Sequence, residues 1–150
     1  MRGNSRSSTG FFHSNNEYRP WLLVQIPVTR LHSVTVINRK DCCGNRLRNL
    51  EIRAGMSRSL RNRKVALFRG PGRTRGVHVI RFNRAVRAKY ISFQLLGRGY
   101  LQINGIRLNT YRHIGKVNSY VPYSLQLGSI SIYHTRFTNG SGEVPPFKET

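Results

Sequence analysis

Residues 34–47 read Val34-Thr35-Val36-Ile37-Asn38-Arg39-Lys40-Asp41-Cys42-Cys43-Gly44-Asn45-Arg46-Leu47. The opening part, Val34 to Asn38, alternates β-branched residues, which are stiff at χ1 and fit a pleated strand better than a helix. The part that follows has no period, gathers charge and carries the turn signal Gly44-Asn45. A strand feeding a loop is also the pattern of the flanking sequence. Leu50-Glu51-Ile52-Arg53-Ala54, His78-Val79-Ile80-Arg81-Phe82, Ile91-Ser92-Phe93-Gln94-Leu95 and Leu101-Gln102-Ile103 set apolar residues at every second position, the period of a half-buried strand. Trp21 to Ile26 is a compact apolar run, and Gly70-Pro71-Gly72, Gly97-Arg98-Gly99 and Asn104-Gly105 mark turns. Short strands at this spacing predict an all-β chain, a β-sandwich or jelly roll.

The best helical candidate, Ser57 to Phe68, has only a weak i/i+3/i+4 pattern and is read as a loop. Beyond Asn109 the character changes. Residues 110–120 are polar and read as irregular, Leu125 to Ile132 reads as a further strand or hairpin, and 139–146 as a flexible tail. The expected organisation is a β-sandwich over 1–109 and a C-terminal extension over 110–150.

The chain has 150 residues, 38% of them hydrophobic, enough for one core. Its longest apolar run, Trp21 to Val24, is far short of the ~18 residues of a membrane-spanning helix. No cleavable signal peptide is read at Met1 to Arg6, because no apolar segment follows the charge. Charge is lopsided, with 26 basic residues against 5 acidic and a net charge of +21. Such a surface attracts polyanions: nucleic acid, sulfated glycans or acidic lipid headgroups. Arg58, Arg61, Arg63, Lys64, Arg69, Arg73 and Arg75 crowd one span around Gly70-Pro71-Gly72 and are the candidate polyanion site. Asp41, Glu17, Glu51, Glu143 and Glu149 are all the carboxylates there are, so paired-carboxylate and carboxylate–metal hydrolysis are poorly supplied.

The loop at 38–47 places Arg39 and Arg46 on either side of the sole aspartate and beside an adjacent cysteine pair. Together with His13 this resembles the F-type lectins, the fucose-binding lectins that include the eel fucolectins. Their hallmark is a histidine, roughly two dozen residues, Arg-x-Asp, four residues, then Arg or Lys, with Cys-Cys commonly after the Asp. Here that reads His13 and Arg39-Lys40-Asp41-Cys42-Cys43-Gly44-Asn45-Arg46. The likeness runs over about residues 3–109, through Asn15 to Trp21, Ser33 to Asn38, Leu50 to Gly55, Lys89 to Leu95 and Leu101 to Leu108.

The resemblance implies a discoidin-like jelly roll and a non-catalytic lectin binding L-fucose or fucosylated glycans through His13, Arg39 and Arg46. It also implies a vicinal disulfide between Cys42 and Cys43 with an apolar sulfur face for the sugar; the residues alone leave two free thiols open. The chemistry suits the assignment. Guanidiniums present rigid forks of donors to sugar oxygens, and imidazole can both donate and accept. Asp41, between the two guanidiniums, is expected to orient both without touching sugar. Phe11 and Phe12 are candidates for packing on the fucose methyl or for the core. Secretion and an oligomer that gains strength by clustering sites fit the resemblance. The family's N-terminal strand and calcium-binding loop are not seen, and its Cys-Glu pair is replaced by Asn104-Gly105, so no metal and no cofactor is expected, residual calcium being the lesser alternative. Leu125 to Ile132 is the candidate to substitute for the missing strand. The other reading of function is a divergent module of this fold that binds polyanions through its arginines.

Overall fold

The structure is a computed structural model and describes residues 12–114, 117–125 and 132–134. Its strands in chain order are β1 (Phe12–His13), β2 (Glu17–Tyr18), β3 (Trp21–Ile37), β4 (Leu50–Gly55), β5 (Arg63–Phe68), β6 (Val77–Leu95), β7 (Arg98–Gly99), β8 (Gln102–Ile103), β9 (Gly105–Ile114), β10 (Val117–Leu125) and β11 (Ile132–His134). A single 3-10 turn, Gly44–Arg46, interrupts the strands among the described residues. The main sheet is antiparallel in the order β10-β9-β3-β6-β4-β5, with β11 also on β3. Two small ribbons, β1–β8 and β2–β7, complete the all-β architecture expected from the sequence.

Two strand pairs of the sequence reading prove to be single long strands. Trp21–Ile26 and Val34–Ile37 belong to β3, and His78–Phe82 and Ile91–Leu95 belong to β6. The ladder between β3 and β6 slips between Gln25 and Thr29, where Pro27 has no N–H to donate, and again between Leu31 and Ser33. Each slip resets which residues face inward. Leu22, Val24 and Ile26, then Leu31, then Val34 and Val36 all reach the same core despite their changing spacing. Trp21 to Val24 is apolar without alternation because both of its faces are covered. Leu22 and Val24 enter the main core, while Trp21 and Leu23 pack with Tyr90 and Leu60 on the other side.

The main core joins the sheet to the β1–β8 ribbon. Phe12 of β1, Leu101 and Ile103 pack with Leu50, Ile52, Ile91 and Phe93, all at most 2% exposed. Burial of each such side chain is worth about 1.5–3 kcal/mol, so the short β1–β8 ribbon is held by its apolar residues more than by its ladder. Phe12 is thus core, and Phe11 lies outside the described residues.

Two elements correct the sequence reading. Ser57–Phe68 is a loop only as far as Asn62; Arg63–Phe68 is the edge strand β5, with Val65 buried and Arg63 and Lys64 exposed. Charged side chains protect such an edge from pairing with another chain, which is why its pattern does not read as a strand. Residues 110–120 are not irregular either, since β9 and β10 form an antiparallel hairpin from Ile106↔Leu125 to Ile114↔Val117. The boundary expected at 109/110 falls inside β9. Of the candidate substitute strand, Leu125 ends β10, 126–131 lie outside the described residues and Ile132 begins β11, which pairs with Val24, Leu23 and Leu22. The tail at 139–146 is likewise outside them. Deleting 120–150 is expected to bare the edge of β3 at 22–24 and lower the melting temperature by several degrees; an unchanged melting curve would show that β11 contributes nothing.

Candidate functional site

β3 ends at Ile37 and hands the chain to the 38–49 loop, which is built by hydrogen bonding to a second loop, 69–76. Asn38, 1% exposed, is the strut. Its Nδ2 donates to Gly44 O at 3.0 Å and Arg73 O at 2.9 Å, and its Oδ1 accepts the Arg39 N–H at 2.8 Å. Backbone bonds add Asn38 N–H to Gly76 O, Arg75 N–H to Arg39 O and Gly72 N–H to Leu47 O, and the Gly44 N–H donates to Thr74 Oγ1. Gly44 is required by closeness, since a Cβ there would run into the backbone of Arg73 and Thr74.

Cys42 and Cys43 form a disulfide between adjacent residues, with Cα atoms 3.7 Å apart. Cys43 takes the left-handed conformation at φ 67° and starts the 3-10 turn that carries Arg46. Arg39 holds Asp41 in a two-pronged pair, Nε to Oδ1 at 2.6 Å and Nη2 to Oδ2 at 3.3 Å. That hydrogen bond keeps the Asp41 carboxyl below its ordinary range and ionised at neutral pH. Among the described residues Asp41 pairs with Arg39 and not with Arg46. This corrects the expectation that it would orient both: Arg46 stacks instead on the Tyr100 ring, 4.4 Å from its centroid.

His13, Arg39 and Arg46 come together through Gln102. β1 pairs with β8 in the register His13↔Gln102, which sets the glutamine side chain under the loop. With its amide oxygen turned to the guanidiniums, Gln102 accepts from Arg46 Nη1 at 2.8 Å and Arg39 Nη1 at 3.0 Å, and His13 Nε2 lies 2.8 Å from the same atom. His13 Nδ1 lies 2.7 Å from Ser14 O, and its ring meets Tyr100 edge-on at 5.5 Å. Both ring nitrogens are therefore engaged by the protein. Gln102 is 2% exposed, so it lies beneath the cluster, whereas Arg39, Arg46, Cys42 and Cys43 are partly exposed above it.

No family model and no curated protein matches the sequence. Solved structures do. A fucolectin from striped bass (Morone saxatilis) serum matches with TM-score 0.62 and 27% identity over 68% of this chain and 36% of that one. The chain has a fucolectin-like fold. The fucolectin-like chain also resembles the lectin domain of lectinolysin complexed with Lewis b antigen, at TM-score 0.53 and 20% identity over 67% of this chain and 71% of that one. A Streptococcus pneumoniae fucose binding module matches at TM-score 0.51 and 20% identity over 65% and 68%. The neighbours are carbohydrate-binding modules. This chain spans only 36% of the striped-bass chain.

The described residues do not fit the calcium of the family that the sequence resembles. Asn104 donates its backbone N–H to Ile37 O at 2.8 Å and Gly105 pairs with Ile37, so the strand ladder occupies the position and no carboxylate stands there. Among the described residues no three of His, Cys, Asp and Glu come together, and calcium wants six to eight oxygens. The seven basic residues expected to form one span fall at opposite ends of the β4–β5 pair. Arg63 lies opposite Ala54, with Lys64 next to it and Arg58 and Arg61 in the adjoining loop, whereas Arg69, Arg73 and Arg75 follow Phe68, opposite Leu50, and adjoin the 38–49 loop. β5 is extended, and its six residues at about 3.3 Å each hold the two groups apart although they are near in sequence.

Sequence reasoning passes over Gln102, Tyr100 and Asn38. The alternation of Leu101-Gln102-Ile103 points Gln102 away from the core, which is right, but places it in solvent, which is not. His78 accepts the Arg73 N–H at 3.3 Å on Nε2 and so supports the 69–76 loop. Burial, and then the Arg73 charge, lowers its pKa from 6.5. A depressed histidine favours the fold when neutral, so this contribution is full above about pH 6.5 and is lost as pH falls toward the folded value. Acidification from about pH 7 to about pH 5 is expected to lower the melting temperature more in the wild type than in His78→Gln; equal slopes would remove His78 from the account.

Proposed function

We propose that this chain is a non-catalytic carbohydrate-binding domain that recognises L-fucose or fucosylated glycans at the 38–49 loop. The observation that carries the reading is the gathering of Arg39, Arg46 and His13 on one buried acceptor beside the Cys42–Cys43 disulfide, with their outer side partly exposed. Guanidinium N–H groups above this base meet ring and hydroxyl oxygens of a neutral sugar, and the disulfide offers an apolar face to its methyl. His13 closes the site and Asp41 fixes the plane of Arg39. No helix among the described residues is long and apolar enough to cross a membrane. An extracellular setting, which keeps the disulfide oxidised, is part of this proposal.

The test is a calorimetric titration with L-fucose at low and high salt, on the wild type and Arg39→Ala. Saturable binding that survives salt is expected, weakened about 10- to 150-fold by the substitution, the scale of a lost hydrogen bond from a charged donor. No fucose binding, together with salt-sensitive binding of heparin or nucleic acid, would instead establish the polyanion reading.

A further inference from the structure

Beside the Arg39–Arg46 cluster lies a cleft of about 310 Å³. One wall is the end of the 38–49 loop, contributing Asn45, Arg46, Arg48 and Asn49; the other is the 97–100 segment, with Arg98 and Tyr100. Arg46 and Tyr100 belong to both the cluster and the cleft, so the two are continuous. The cleft is braced. Arg48 Nε donates to Asn45 O at 3.0 Å, the Leu96 N–H to Asn49 O at 2.9 Å, and Tyr18 and Glu17 of β2 pair with Arg98 and Gly99.

Its chemistry differs from that of a site for neutral sugar alone. Three guanidiniums line it and no carboxylate does; Glu17, on the flanking ribbon, is not among the lining residues. The amides of Asn16, Asn45 and Asn49 and the Tyr100 hydroxyl can donate to and accept from sugar hydroxyls, whereas the guanidinium face of the cleft donates only. Groups that only accept, and carry negative charge, suit it better, because guanidinium forks match sulfate and carboxylate in geometry and charge. The volume is at the small end of ligand cavities, room for about one further sugar unit.

We infer that this cleft is a subsite for an anionic substituent, a sulfate ester or carboxylate, on the sugar next to the fucose. The inference deepens the fucose reading and rests on it for the position of the neighbouring sugar. A fucosylated oligosaccharide is compared with its sulfated and its sialylated counterparts by calorimetry at two salt concentrations. The wild type, Arg48→Gln/Arg98→Gln and Arg39→Ala are used, with galactose 6-sulfate and sialic acid as single-sugar probes.

The wild type binds an anionic glycan about 10- to 100-fold more tightly than the neutral parent, and the advantage shrinks with salt. The double variant, altered only at exposed positions, loses that advantage while its L-fucose affinity stays within about twofold, because neither residue belongs to the cluster. Preference for the sulfated or the sialylated compound tells which acid the cleft takes. Equal affinity of neutral and anionic glycans for the wild type overturns the subsite, as does a double variant that keeps the preference. Absence of L-fucose binding in every protein overturns the fucose reading instead; the cleft then stands if the single-sugar anions bind the wild type and not the double variant, and falls if they bind neither.

Discussion

Gln102→Leu is expected to abolish measurable fucose binding and to destabilise the fold by about 1.5–3 kcal/mol, the scale of a lost hydrogen bond to a charged donor. The glutamine oxygen takes N–H groups from Arg39 and Arg46, both on the 38–49 loop, and lies against His13 Nε2 on β1. Two guanidiniums this close repel, and Asp41 offsets only one of them. Without the shared acceptor, both partly exposed arginines gain more by turning to water than by staying together. The sugar then has to gather them again on binding, at a cost of order 0.5–1.5 kcal/mol per immobilised side chain on top of the lost geometry. Gln102→Glu keeps an oxygen at the same place and should restore much of the binding. Loss of stability is read by urea unfolding and binding by calorimetry, so a folded but inactive Gln102→Leu is distinguishable from an unfolded one. Tighter binding in Gln102→Leu would mean that the amide holds the place a sugar oxygen needs, and that the base of the site has been misread.

How much of this was legible in the sequence depends on the range of the interaction that decides each feature. Strand character at Val34–Ile37 and Ile91–Leu95 follows from the residues themselves, and the structure has strands there. The edge strand β5 does not, because its exposed charges and single fully buried residue, Val65, carry no period. The strand at 110–114 is likewise set by pairing with β10, and its first residue by pairing with Leu31 of β3, over separations that local pattern does not encode. In the site, Arg39, Asp41 and the cysteine pair lie within five residues of one another and were visible as a motif. Gln102 is 89 residues from His13, and only the β1–β8 register brings them together. Tyr100 was hidden for the same reason. Its stacking under Arg46 depends on how the 97–100 segment folds back, a matter of tertiary contact.

Asn38→Ala should cost still more stability than the loss of Gln102, about 3–5 kcal/mol, although Asn38 is not assigned any contact with the sugar. The substitution removes two donors and one acceptor from a side chain that is 1% exposed and leaves the carbonyls of Gly44 and Arg73 without that partner. Each carbonyl keeps one partner, the Leu47 N–H on Gly44 O and the Gly76 N–H on Arg73 O, so the cost is about 1 kcal/mol for each of the two hydrogen bonds lost to them, plus about 1–3 kcal/mol for the Arg39 N–H that loses its acceptor. Water cannot easily take its place, because the loops are in contact there: Gly44 leaves no room for a Cβ beside Thr74, and Gly72 faces Asn38 itself. Asn38→Asp is the sharper variant. It still accepts the Arg39 N–H but turns a second oxygen on two carbonyls, so like partial charges replace two hydrogen bonds. If the two loops are one mechanical unit, both variants should speed hydrogen exchange at the Gly44 and Arg75 amides together, which donate across the junction to Thr74 and Arg39. Fucose affinity should then fall in step with loop opening. A variant as stable as the wild type, or exchange that rises in one loop alone, would show that the loops are held independently and that the Arg39 geometry owes nothing to the 69–76 loop.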